Sequence, residues 1–74
     1  MNFYRVKFCT KRGVKGFRTW YFIDISANNL VEARAIVERM WYSVYKKHMF
    51  SVDVKRLKTL VLAEWFSLCE EYDV

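Results

Sequence analysis

The stretch NLVEARAIVERMWYSVYKKHM, residues 29–49, decides the fold. Leu30, Ala33, Val37, Met40, Trp41, Val44 and Tyr45 recur at steps of three and four, which places them on one side of a helix. Glu32, Arg34, Glu38, Arg39, Ser43, Lys46 and Lys47 fall mainly on the other side. Asn29 has the chemistry of an N-cap, and Glu32 stands three positions on, where its carboxylate can reach back to the cap amide. Lys46, Lys47 and His48 are expected in the last turn, where positive charge suits the carbonyl end of the helix dipole. The spacing therefore predicts one long amphipathic helix over Asn29–Met49, and the rest of the chain must cover its apolar stripe.

Upstream, the period changes from 3.6 to two. In Phe3–Thr10, Tyr4, Val6 and Phe8 alternate with Arg5, Lys7 and Cys9, the pattern of a strand. Both glycines of the chain lie in the segment Lys11-Arg12-Gly13-Val14-Lys15-Gly16 and supply a hairpin turn. Phe17–Ile25 then reads as a second strand with an uncharged face of Phe17, Thr19, Tyr21, Ile23 and Ile25. Downstream of the helix, Phe50, Val52 and Val54 alternate with Ser51, Asp53 and Lys55, which predicts a third strand. Leu57, Leu60, Val61, Trp65, Leu68, Cys69 and Tyr72 return to helical spacing and predict a C-terminal helix; the alternative is a strand over Thr59–Leu68. The expected fold is α+β, a ββαβα order with an antiparallel sheet packed on the long helix. It occupies residues 1–74 as one domain, since a chain this short holds one core.

At 54% hydrophobic residues and 19% aromatics, with no proline, the composition excludes disorder. It also supplies more rings than a small core hides, so some are expected at an interface. The formal charge of +5 is uneven. Residues 1–25 hold six cations against the single acid Asp24, whereas residues 50–74 hold five acids against three cations. A basic front half points to a polyanionic partner.

Catalysis is not expected. The chain has one histidine, His48, and lacks the nucleophile, zinc-protease and phosphate-loop motifs. Cys9, Cys69 and His48 have no metal-ligand spacing, so neither metal nor cofactor is expected. Cys9 and Cys69 read as two small buried thiols of a reducing compartment, with a disulfide between them as the lesser option. No apolar run approaches the ~20 residues that span a bilayer. With no secretory leader, the expected location is cytoplasmic.

The candidate binding surface is the hairpin. If Tyr4, Val6 and Phe8 pack on the helix, the opposite face displays Phe3, Arg5, Lys7, Arg18, Trp20 and Phe22, with Lys11, Arg12 and Lys15 extending the charge into the turn. Interleaved cations and flat rings suit nucleic acid, which offers phosphates and bases to meet them. The same residues suit a protein interface core. The expected function is a small basic binding module for nucleic acid through Arg5, Lys7, Lys11, Arg12, Lys15, Arg18, Trp20 and Phe22. Its alternative is an accessory or inhibitor protein of the phage or mobile-element kind that blocks a nucleic-acid-processing complex. The partners expected are nucleic acid or an acidic protein surface, with a homodimer as a further option, and no membrane or small-molecule substrate. A third expectation makes Trp20 and Phe22 a second small core beneath the C-terminal helix.

Overall fold

The computed structural model describes residues 1–10 and 16–72. Its elements are β1 (Asn2–Cys9), β2 (Gly16–Ala27), α1 (Leu30–Tyr45), β3 (Phe50–Leu57) and β4 (Phe66–Tyr72). The strands form one antiparallel sheet in the order β3-β1-β2-β4. The α+β class and the first four elements agree with the alternation in the sequence. The last element does not, because β4 replaces the expected C-terminal helix.

The hairpin register sets Tyr4 opposite Ile25, Val6 opposite Ile23 and Phe8 opposite Tyr21. Residues directly opposite share a face, so these three pairs form one apolar surface. Helix α1 packs on it, touching β1, β2 and β3 but not β4. Tyr4, Val6, Phe8 and Ile23 of the sheet are buried, as are Ala33, Val37 and Trp41 of the helix. Trp41 is the hub. Its ring lies 4.9 Å from Phe8, 4.7 Å from Tyr21, 4.2 Å from Tyr45 and 5.2 Å from Trp65, measured between centroids. Edge-on and tilted contacts of this kind add about 0.5–1.5 kcal/mol per pair beyond area burial.

Asn29 caps the helix as expected, its Oδ1 accepting from the Glu32 amide at 2.8 Å. The other end differs from expectation. The helix stops at Tyr45, and Lys46 turns left-handed (φ 56°) with its N–H donating to Tyr42 O. Lys46, Lys47 and His48 therefore follow the helix and do not occupy its last turn. The buried stripe is also narrower. Leu30, Met40, Val44 and Tyr45 are exposed, Val44 to 68%. Ala33, Val37 and Trp41 follow one line of i, i+4, i+8, and burial is confined to that line, from the first turn of the helix to Trp41.

Residues 58–65 carry the chain from β3 at one edge of the sheet to β4 at the other. Leu62 O accepts from the Asp24 amide at 3.1 Å, along the part of β2 that β4 does not reach. Trp65 then turns back under the sheet to Phe8 and Trp41. The helical spacing of Leu57–Tyr72 is thus coincidental. The open flank of β2 from Gly16 to Phe22 recruits these residues as a strand, in a register unbroken from Gly16 opposite Tyr72 to Phe22 opposite Phe66.

Cys9 is buried and Cys69 exposed, and no disulfide joins them. The expectation of two buried thiols fails for Cys69. It sits on β4, with β2 between it and Cys9. No helix among the described residues is long and apolar enough to cross a membrane.

Candidate functional site

With α1 on one side of the sheet, the other side has no helix over it. Alternation assigns this face to Phe3, Arg5, Lys7 and Cys9 of β1 and to Arg18, Trp20, Phe22 and Asp24 of β2. From β4 it takes Phe66, opposite Phe22, Leu68, opposite Trp20, and Glu70, opposite Arg18. From β3 it takes Asp53, opposite Lys7, and Lys55, opposite Arg5. The expected second core beneath a C-terminal helix does not exist. In its place β4 widens the face and adds two apolar side chains, Phe66 and Leu68, each about half exposed.

Four of the expected residues come together. Lys7 Nζ stands 4.5 Å from the centroid of Trp20 and 5.6 Å from that of Phe22. Arg18 Cζ lies 5.4 Å from the same Trp20 ring. Cations over an indole are held by the ring quadrupole, at about 0.5–1 kcal/mol when exposed. The ring itself is oriented by its own N–H, which donates to Glu70 Oε1 at 2.9 Å. Phe22 leans against Phe66, 5.8 Å between centroids. The result is an aromatic strip with two cations bracketing its tryptophan.

Arg5 is on the same face but otherwise engaged. Its Nε donates to Asp24 Oδ1 at 2.9 Å and its Nη2 to Oδ2 at 3.2 Å. Asp24 Oδ2 also accepts from the amides of Val61, at 3.1 Å, and Leu62, at 2.8 Å. Burial alone would raise the Asp24 pKa; the Arg5 hydrogen bonds and the two amides outweigh it and hold the carboxyl below its ordinary value. The same hydrogen bond holds the Arg5 guanidinium above its ordinary value. Arg5 is thus a structural cation before it is a ligand-binding one. Lys11, Arg12 and Lys15 lie outside the described residues.

Helical periodicity over residues 57–72 hides Phe66, Leu68 and Glu70 from a reading of the sequence. Taken with period two, Phe66-Ser67-Leu68-Cys69-Glu70 separates an apolar-leaning row from a small polar one, and that is the signal the sequence offers.

A shallow groove of about 400 Å³ runs along the outer side of α1, lined by Ala35, Glu38, Arg39, Tyr42, Ser43 and His48. The His48 ring lies 5.1 Å from that of Tyr42, tilted by 31°, and Lys46 Nζ stands 5.8 Å from the Tyr42 ring. Among the described residues no group of three or more His, Cys, Asp or Glu side chains has the arrangement of a metal site. No protein-family model matches the chain, and no curated protein or solved structure is significantly similar to it.

Proposed function

We propose that this chain is a non-catalytic binding module that holds single-stranded nucleic acid on the helix-free face of its sheet. The observation that carries this proposal is the Lys7–Trp20–Phe22–Phe66 strip, where an ammonium group lies directly on an aromatic platform. Bases stack on such rings whatever their sequence, and the neighbouring cations meet the phosphates. Residues two apart on a strand, such as Trp20 and Phe22, are about 6.6 Å apart along it, which lets consecutive unstacked bases address consecutive rings. A broad sheet face does not enter a duplex groove, whereas a lone two-stranded ribbon does, so addition of β4 and β3 to the hairpin favours single strands.

A protein partner is the second reading, and one observation favours it. Three of the four described cations of the face have acids opposite them: Asp24 on Arg5, Asp53 across from Lys7, and Glu70 across from Arg18; the fourth, Lys55, faces Arg5. A surface whose charges are so largely paired, and with Phe66 and Leu68 half exposed, also matches the apolar core and polar rim of a protein interface. In that case the chain acts as an accessory or inhibitor that occupies its partner by contact alone.

Titration of labelled single- and double-stranded oligonucleotides at low salt tests the proposal. Single strands should bind more tightly, and log K should fall with log salt by about 0.7 per phosphate contact. Equal affinity for the duplex, or no binding at all, overturns it and leaves the protein partner.

A further inference from the structure

The two edges of the sheet differ in kind. On β3, Lys7 faces Asp53 while Cys9 faces Phe50, so one extra residue bulges out opposite Phe8, and Ser51 there takes a positive φ of 49°. The rest of β3 carries Asp53, Lys55 and Arg56. Bulges and charges, lysine above all, are how proteins keep an edge strand from pairing further. β4 lacks these protections along its first half, Phe66-Ser67-Leu68-Cys69. Its register with β2 runs without a bulge, it holds no lysine or proline, and α1 does not cover it. A bulge-free, uncharged edge with half-exposed apolar side chains is a template for another strand.

We propose that this strand is β4 of a second copy, paired antiparallel about a two-fold axis so that four strands continue as eight. Three arguments single out a second copy. Pairing β4 with β4 consumes both unguarded edges and leaves only the two guarded β3 edges outside, which closes the assembly. Pairing β4 with β3 of the next copy would meet the Ser51 bulge and would repeat without end. The acid at Glu70 also forbids an axis near itself, since like charges directly opposite destabilise a ladder. It moves the axis to Leu68 or Cys69, where the uncharged half of the strand lies. In either register residues of like face stay on one side, so the helix-free faces of both copies form one continuous surface. One pair of strands buries less than the about 1,200 Å² of a stable interface, so the dimer dissociates on dilution.

Sedimentation over a wide concentration series is the test, with hydrogen exchange of the β4 amides followed in the same samples. The wild-type chain should pass from monomer to dimer, and β4 amides should gain protection in step. Leu68→Lys, at an exposed position, should stay monomeric throughout, while Val44→Lys, on the exposed end of the helix, should dimerise as wild type does. If the lysine variant fails to fold, the concentration-dependent protection of wild-type β4 still decides. A wild-type monomer at every concentration, or a dimer whose β4 protection does not change, overturns the proposal. Oligonucleotide titration of the wild-type chain at dilutions where it is monomeric separates this outcome from that of the proposed function, because it leaves the helix-free face, Leu68 included, unaltered.

Discussion

Arg5 and Asp24 face each other across β1 and β2, joined by two hydrogen bonds of 2.9 and 3.2 Å, and the same carboxylate receives the amides of Val61 and Leu62. One acid thus ties the hairpin to the segment that delivers β4. Its side chain has no exposed surface, so its removal strands the Arg5 charge and two amides at once. Asp24→Ala should cost about 3 kcal/mol, read from urea unfolding. Hydrogen exchange should show residues 58–65 opening first. Arg5→Ala should cost less, because Asp24 keeps both amides.

The same contacts set an acid dependence. The folded-state pKa of Asp24 lies below its unfolded value, so the folded state gains by keeping this group ionised. That stabilisation is complete above the ordinary carboxylate value of about 4 and is lost as pH falls below it through the folded-state pKa. The urea midpoint should therefore drop between pH 7 and pH 3. Asp24→Asn should be less stable at pH 7 and show a smaller drop, whereas an equal drop in both chains would show that Asp24 is not its source.

The hairpin and helix are legible in the sequence because both bury one face against the other, and burial imprints a period. Tyr4, Val6 and Phe8 have to be apolar every second residue, and Ala33, Val37 and Trp41 every fourth. β4 is not legible for the converse reason. The helix does not reach it, so neither of its faces is obliged to be apolar, and Phe66–Tyr72 carries no clean alternation. The role of Asp24 is hidden too. In the sequence it is one acid on a strand, and its partners at positions 5, 61 and 62 are brought to it only by the register and the crossover.

The narrow buried line of the helix gives a paired prediction. Val37 is fully buried and Val44 is 68% exposed, although their spacing puts both on one side of α1. Val37→Asp buries an unpaired charge and should unfold the protein, since that cost of several kcal/mol is comparable with a total stability of about 5–15 kcal/mol. Val44→Asp should change stability by no more than about 0.5 kcal/mol. Thermal unfolding followed by circular dichroism compares them, and equal losses would contradict the packing described.

At the start of the helix, Asn29→Ala removes the acceptor of the Glu32 amide. The expected loss is about 1 kcal/mol, against a few tenths for Asn29→Gly. Guanidinium unfolding of the two variants at neutral pH measures the difference, which should appear as a shift of midpoint without a change of slope.

The helix-free face supplies the prediction that divides the two proposed partners. Trp20 is held by Glu70 and bracketed by Lys7 and Arg18. If a base stacks there, Trp20→Ala should weaken single-strand binding by about 1–3 kcal/mol with little change in salt slope. Lys7→Ala should instead lower the slope by about 0.7, because one phosphate fewer is neutralised. Glu70→Gln is the decisive variant. It keeps a carbonyl acceptor for the Trp20 N–H while removing the negative charge opposite Arg18. A polyanion gains from that removal, so oligonucleotide affinity should rise. A protein that meets this face through its own cations loses a partner, so its affinity should fall. An acidic protein surface gains as the polyanion does and is told apart by the oligonucleotide titration itself. Fluorescence anisotropy with a labelled single strand reads the first case directly, and a Glu70→Gln chain that binds the strand more weakly than wild type would rule out phosphate recognition beside Trp20.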